Sequence, residues 1–281
     1  FLTMSQSGAT AIIIFRHGER MDAVDKNWMA SNPDRPFDPP LTKRGELMAS
    51  KAGAAIQSII EQEGLPPVAK LLSSPLVRCI QTAIEAGKSL KFEGKVEPEP
   101  ALSEIIWEEW YRSWGVPGTS GEWGGPPHCG LGVPVALEDL HPAALRPAGE
   151  LYLSPAELQR QFGDAVAGSE EYQPSVPAAS LKYCWGNVET KEDSRLRVGK
   201  FAESYSAQNE GKTVVMCSHG GPTSLLYQHL SNNHEGLETG YTAIFAFVKD
   251  GAGWKVLRTA CTAHLGEVDA VELGLQYAQT K

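Results

Sequence analysis

An α/β fold, with a mostly parallel central sheet and helices on both faces, is what this sequence predicts. It also predicts a loop-rich insertion forming a lid or small subdomain. Three observations carry the prediction. Short β-branched or apolar runs alternate with amphipathic helical stretches. Three of those runs end abruptly in polar residues and glycine, at 16–20, 73–78 and 218–221, with helical sequence following. Between about 107 and 180 the texture changes, with frequent Pro and Gly and weak periodicity. The expected unit is a single domain over 9–270 with the insertion at about 107–180.

The first run, Ala11-Ile12-Ile13-Ile14-Phe15, reads as a buried strand that empties into the loop Arg16-His17-Gly18-Glu19-Arg20. After a Pro-rich stretch at 32–40, Thr42 is placed to cap a helix on which Leu47, Ala52, Ala55, Ile56, Ile59 and Ile60 share a face. Lys70-Leu71-Leu72 leads into Ser73-Ser74-Pro75, where a serine cap and a proline in the first turn predict a helix reaching about Leu90. Thr213-Val214-Val215-Met216-Cys217 is the third strand; it ends in Ser218-His219-Gly220-Gly221-Pro222, with a helix expected from about Thr223. Closing strands are expected at 242–248 and 254–259. In open α/β sheets the ligand sits beyond the carboxyl ends of the strands, and all three polar motifs fall there.

A chain of 281 residues with 42% hydrophobic content can bury a sizeable core. Its 25 Lys+Arg against 34 Asp+Glu give a net charge of -9, which argues against a broad nucleic-acid or anionic-membrane surface. Positive charge for an anionic substrate must therefore be concentrated locally. Cys79, Cys129, Cys184, Cys217 and Cys261 are odd in number and contain no CxxC pair, so they read as free thiols in a reducing cytosol, and the expected localisation is cytoplasmic. The apolar run at 11–15 is far short of the roughly 18 residues of a membrane span, and no signal peptide is expected. Phe1-Leu2-Thr3 are expected to be additions ahead of a natural start at Met4.

Taken singly, the polar motifs are unremarkable: a histidine after a strand is more often structural, and a loop arginine is usually a solvated charge. The set is different. Strand ends deliver His17 with Arg16 and Arg20, then Arg78, then His219, and Glu104 follows in Glu99-Pro100-Ala101-Leu102-Ser103-Glu104. Two histidines, several arginines and a carboxylate are what a phosphoryl group and its leaving oxygen require.

Arg16-His17-Gly18-Glu19-Arg20, Leu41-Thr42-Lys43-Arg44-Gly45, the run from Ser73 through Arg78 to Ala83, Glu99 to Glu104, and Ser218-His219-Gly220-Gly221 occur in the order and at the spacing of a known family. Through them the chain resembles the histidine phosphatase superfamily, in the branch that includes cofactor-dependent phosphoglycerate mutase. Arg16-His17-Gly18-Glu19-Arg20-Met21-Asp22 looks most like the subgroup of ecdysteroid-phosphate phosphatases and suppressor of T-cell receptor signalling proteins. The mutases continue this loop with Ser-x-x-Asn, which Arg20-Met21-Asp22-Ala23 replaces here. The resemblance implies a phosphatase that works without metal or organic cofactor through a phosphohistidine on His17. The rivals are a mutase-like phosphotransferase and a catalytically silent module that binds phospho-ligands.

Arginine suits the phosphate-binding positions Arg16 and Arg78 because its planar fork matches two oxygens at once, and Arg20 is expected to join them. Neighbouring arginines should keep the His17 imidazole neutral and nucleophilic. His219 is expected to bond a transferring oxygen, with backbone N–H groups at Gly220 and Gly221 adding to the anion site. Glu104 is the expected general acid and base; its competitors Glu19, Glu108 and Glu109 lack the family's Glu-Pro-x-Leu-x-Glu pattern. Cys217 is read as inert and buried, and His264 as a residue that can approach the pocket. Trp107, Trp110, Tyr111, Trp114 and Trp123 either wall an apolar pocket or form the insertion's own core. His128, His141, His229 and His234 have no neighbours at ligand spacing, so no metal is expected. The expected partner is a phosphorylated small molecule or phosphoprotein; a homodimer is left open.

Overall fold

A computed structural model of the chain describes residues 9–119, 121, 123–125, 132–181, 185–251 and 253–266. Phe1-Leu2-Thr3, Met4, His128, Cys129 and Cys184, on which expectations were placed, lie outside these residues, as does the end of the expected 9–270 unit.

The elements run β1 (Thr10–Arg16), α1 (Met21–Val24), α2 (Trp28–Ser31), α3 (Lys43–Glu63), β2 (Val68–Ser73), α4 (Val77–Ser89), β3 (Val96–Pro98), α5 (Glu108–Gly115), α6 (Pro155–Phe162), α7 (Lys191–Gln208), β4 (Thr213–Ser218), α8 (Gly220–Ser231), β5 (Ile244–Asp250) and β6 (Gly253–Cys261). The strands form one sheet in the order β3-β2-β4-β1-β5-β6. Pairings from β3 to β1 are parallel, and β5 and β6 add antiparallel. This is the expected α/β fold with a mostly parallel sheet.

β1 shows why the fold forms. Ala11, Ile13 and Phe15 pack on one side with Ile56 of α3, Ile80 and Ala83 of α4, and Leu158 of α6. Ile12 and Ile14 pack on the other with Val198 and Phe201 of α7 and Leu225 and Leu226 of α8. A strand covered on both faces reads as a continuous apolar run, as this one does. Thr42 caps α3 as expected, its hydroxyl accepting from the Gly45 N–H at 2.9 Å. The buried face of α3 includes Ala52, Ile56, Ile59 and Ile60, while Leu47 and Ala55 lie half-buried at its edge.

The starts of two helices differ from expectation. α4 begins at Val77, and no serine caps it: the carboxylate of Asp38 accepts the Val77 N–H at 2.8 Å. A cap from a distant loop leaves no local signal, and Ser74 is occupied elsewhere. α8 begins at Gly220, so both glycines fall in its first turn.

Within 107–180, Trp110, Tyr111 and Trp114 on α5 form an apolar cluster with Phe37, Leu151 and Tyr152. Leu158 of α6 and Val166 instead join the main core. Among the described residues no helix is long and apolar enough to cross a membrane.

Candidate active site

Parallel register brings the three motifs together. Arg16 pairs with Ser218, and Ser73 with Cys217, so β1, β4 and β2 end side by side. Just past those ends the His17 N–H donates to the Ser218 carbonyl (2.9 Å) and the Ser74 N–H to the Cys217 carbonyl (2.9 Å). From the antiparallel side, the Thr242 N–H donates to the His17 carbonyl (3.2 Å). Backbone bonds therefore hold the loop bearing His17 on both sides. Gly18 and Gly45 are required by close approach: a Cβ on Gly18 would sit 2.5 Å from the Gly45 carbonyl oxygen, and one on Gly45 would sit 2.3 Å from that of Glu19.

His17 is 1% exposed. Its Nδ1 lies 2.8 Å from the Gly18 carbonyl oxygen. Since a carbonyl only accepts, Nδ1 carries the proton and Nε2 keeps its lone pair. Burial, reinforced by Arg78, Arg16 and His219, holds the imidazole well below its ordinary pKa and therefore neutral.

His219 lies against it, ring centroids 5.2 Å apart, and is fully buried. Its Nε2 meets the Ser74 hydroxyl at 2.8 Å, and its Nδ1 lies 3.3 Å from Nη2 of Arg78 and 3.9 Å from Glu104 Oε2. Burial and the charges of Arg78 and Arg16 keep it neutral too. A guanidinium only donates, so Nδ1 accepts from Arg78 and the proton sits on Nε2, which donates to the Ser74 hydroxyl.

Arg78 is 1% exposed, its Nη1 donating to the Phe37 carbonyl (3.1 Å) and lying 3.8 Å from Asp38. Arg16 stacks over Tyr241, its Cζ 4.6 Å from the ring centroid, and donates to the Thr239 carbonyl. The Nε atoms of Arg16 and Arg78 are buried without a hydrogen-bond partner. Arg20 is held by Asp22 through two bonds of 2.9 Å.

Glu104 follows a turn at Pro100–Leu102. Its Oε1 accepts the Ile105 N–H at 2.9 Å. Burial raises its pKa, opposed by that N–H and by Arg78 and Arg16.

A cavity of about 820 Å³ opens above these groups, and its lining includes Arg16, His17, Arg20, Glu104, Gly220 and Gly221. Arg78 and His219 sit beneath it rather than among its lining residues. Trp107 and Trp123 form one side, ring centroids 6.2 Å apart. The five aromatics thus divide: two face the cavity, while Trp110, Tyr111 and Trp114 are core.

The competing carboxylates are engaged elsewhere. Glu19 accepts from Thr42 (2.7 Å) and Arg44 (2.5 Å), and Glu108 pairs with Arg112 (2.6 Å); neither they nor Glu109 are among the described lining residues. His264 is not among the lining residues of the cavity; its Nε2 meets the Thr242 hydroxyl at 2.9 Å. Cys217 is fully buried, and burial pushes its thiol pKa up. Among the described residues no group of three His, Cys, Asp or Glu is placed to hold a metal ion.

Sequence reasoning gave no role to Tyr241, Thr239 or Asp38, and read the serines at 73–74 only as a helix cap, whereas the Ser74 hydroxyl bonds His219. Tyr241 and Thr239 precede β5 in an aperiodic stretch. The signal that could have found them is the pairing of β5 with β1, which sets 239–243 beside Arg16 and His17.

A family model described as the histidine phosphatase superfamily (branch 1) matches residues 12–114 and 152–262. Ubiquitin-associated and SH3 domain-containing protein A of Mus musculus is 32% identical over 139 residues, which is 40% of this chain and 21% of that protein's length. Among solved structures, the ecdysone phosphate phosphatase from Bombix mori in complex with tungstate superposes with a TM-score of 0.59 at 18% identity, covering 90% of this chain and 93% of that one. Phosphoglycerate mutase from Bacillus anthracis str. Sterne gives 0.51 at 15% identity, covering 94% and 98%. The two structural likenesses show a shared fold.

Proposed function

This chain belongs to the histidine phosphatase superfamily, branch 1, and on that premise we propose that it hydrolyses phosphomonoesters through a phosphohistidine on Nε2 of His17. The observation that carries the reading is the Nδ1 bond of His17 to the Gly18 carbonyl. It leaves a neutral imidazole with its lone pair on Nε2, at a cavity shared with Arg16 and with a carboxyl of raised pKa.

In the first step the Nε2 lone pair attacks phosphorus in line and the ester P–O bond breaks. The leaving oxygen keeps that electron pair and takes a proton from Glu104, whose raised pKa favours the protonated acid. In the second step Glu104, now ionised, accepts a proton from water as the water oxygen attacks phosphorus. The N–P bond breaks, its pair returns to Nε2, and inorganic phosphate leaves. Arg16 at the cavity and Arg78 beside His219 supply the positive charge that neutralises the equatorial oxygens. His219, its Nδ1 accepting from Arg78 and its Nε2 donating to the Ser74 hydroxyl, holds the Arg78 guanidinium in place beside His17. Arg20 adds charge at the rim, and the backbone N–H groups of Gly220 and Gly221 open α8 toward the same anion.

The substrate is a phosphorylated small molecule or phosphoprotein, met in a reducing cytosol, and neither metal nor organic cofactor takes part. Aryl phosphate hydrolysis should fall in His17→Ala on the order of 10⁶-fold, as on loss of a catalytic nucleophile. Acid-labile, base-stable phosphate labelling should appear on the wild type and vanish in the variant, and excess EDTA should leave turnover unchanged. More than about a tenth of the activity surviving in His17→Ala would overturn the reading. Transfer of the phosphoryl group to an added hydroxyl compound in preference to water would make the protein a phosphotransferase.

A further inference from the structure

Glu104 lies in a segment with no helix or strand of its own, residues 103–106, so its backbone must find partners outside regular structure. Those partners come from α7, from the residues leading into it and from the end of β4. Arg197 donates through Nη1 to the carbonyls of Ala101 (2.6 Å) and Ser103 (3.2 Å) and through Nη2 to that of Glu104 itself (3.4 Å). Its other edge is held by Glu189, Nε to Oε1 at 2.6 Å and Nη2 to Oε2 at 2.8 Å. The Glu189 N–H donates to the Ile106 carbonyl at 3.1 Å, and the Ser218 hydroxyl donates to that of Leu102 at 2.6 Å. The carbonyls of residues 101 to 104 and of 106 are thus fixed from outside the segment, three of them by one guanidinium. The Arg197 and Glu189 side chains are each 7% exposed, so the pair is shielded from solvent and salt.

We infer that Arg197, oriented by Glu189, is the positioning residue that aims the Glu104 carboxyl at the leaving oxygen. This rests on the proposal that Glu104 is the general acid. An arginine suits the task because its rigid fork reaches several acceptors at once; a lysine keeps the charge and loses the geometry. Proton transfer depends steeply on distance, and a misplacement of about 1 Å can cost on the order of 10²-fold in rate. The loss should therefore fall on substrates whose leaving oxygen needs a proton. A nitrophenolate leaves without one, so phosphorylation of His17 by 4-nitrophenyl phosphate should be nearly indifferent to Arg197.

The test measures single-turnover phosphorylation of His17 by an alkyl phosphate and by 4-nitrophenyl phosphate in wild type, Arg197→Lys and Glu104→Gln. Expected for Arg197→Lys is a loss of about tenfold or more with the alkyl phosphate against less than about threefold with the nitrophenyl ester, a smaller copy of the Glu104→Gln pattern. Equal losses for the two substrates, the mark of a merely structural role, or no loss for either would overturn the inference while Glu104→Gln keeps its selectivity. If Glu104→Gln shows no selectivity either, the acid has been misassigned and the inference falls with it. Should Arg197→Lys lose its folded near-UV spectrum, Glu189→Gln, which loosens the guanidinium without removing it, is judged by the same two rates.

Discussion

The floor and the wall of the cavity are built by different means. The floor, His17 with Ser74 and His219 beneath it, hangs from backbone bonds at the ends of β1, β2 and β4. The wall, residues 101–106 carrying Glu104, is held chiefly by the Arg197 side chain, which reaches it from more than 90 residues away. A floor fixed by sheet register can fail only with the sheet, whereas a wall in which one guanidinium holds three carbonyls, that of Glu104 among them, can be loosened at that point alone. The two differ in consequence as well: the floor handles the phosphoryl group common to every substrate, and the wall handles the leaving group that distinguishes them.

The largest expected effect that sharpens this contrast comes from Arg78. Arg78→Ala should slow phosphorylation of His17 by alkyl and by 4-nitrophenyl phosphate alike, by about 10²–10³, the usual cost of removing a group that stabilises transition-state charge. Both single-turnover rates should drop by similar factors. A loss confined to the alkyl ester would place Arg78 with the wall and break the division.

That division also tracks what the sequence made legible. The strand ends could be read because a two-sided apolar run followed by a polar loop is a local pattern, and parallel register then brings 16–20, 73–78 and 218–221 together without further information. Glu104 was found through resemblance rather than through periodicity, since residues 103–106 have none. Arg197 was invisible because an arginine on a helix reads as solvated surface until Glu189 and three carbonyls are brought to it by the fold. Asp38 escaped for a similar reason: it sits in a Pro-rich stretch and caps a helix that begins 39 residues later. The nearby serines offered a plausible local cap, and a long-range partner took the role instead.

The next effect is on stability. A methyl group on Gly45 would meet backbone, 2.3 Å from the Glu19 carbonyl oxygen, whereas one on Gly221 would meet the Ile105 side chain at 2.4 Å and the Glu104 carboxyl at 2.9 Å. Side chains can turn aside and a hydrogen-bonded backbone cannot. Gly45→Ala should therefore lower unfolding free energy by on the order of 1–3 kcal/mol in urea titration. Gly221→Ala should cost less stability and show selective loss with alkyl phosphates, because it displaces the acid. If Gly221→Ala proves the more destabilising of the two, the wall is as rigid as the floor and the contrast is wrong.

The smallest effect separates the two by the sign of a pH dependence. His17 and His219 are held neutral below their ordinary pKa by burial first and by Arg78 and Arg16 second. Below about pH 6.5 the unfolded histidines bind protons that the folded ones refuse, so the floor weakens as pH falls from 6.5 toward their lowered folded values. Glu104 works in the opposite sense. Its folded pKa is raised by burial, so the folded state holds a proton that the unfolded state has released above about pH 4.5, and its contribution is lost as pH rises from 4.5 through the raised value. Between these limits the two trends oppose, each group being worth up to about 1.4 kcal/mol per pH unit. Removing the wall's share by Glu104→Gln should therefore steepen the rise of stability with pH from about 4.5 upward, by up to that amount. Glu99, also raised by burial, and His141, lowered by it, contribute to both proteins and cancel in the difference. Urea midpoints for wild type and Glu104→Gln across this window measure the two slopes, and an unchanged or shallower slope in the variant would show that Glu104 holds no such proton in the folded state.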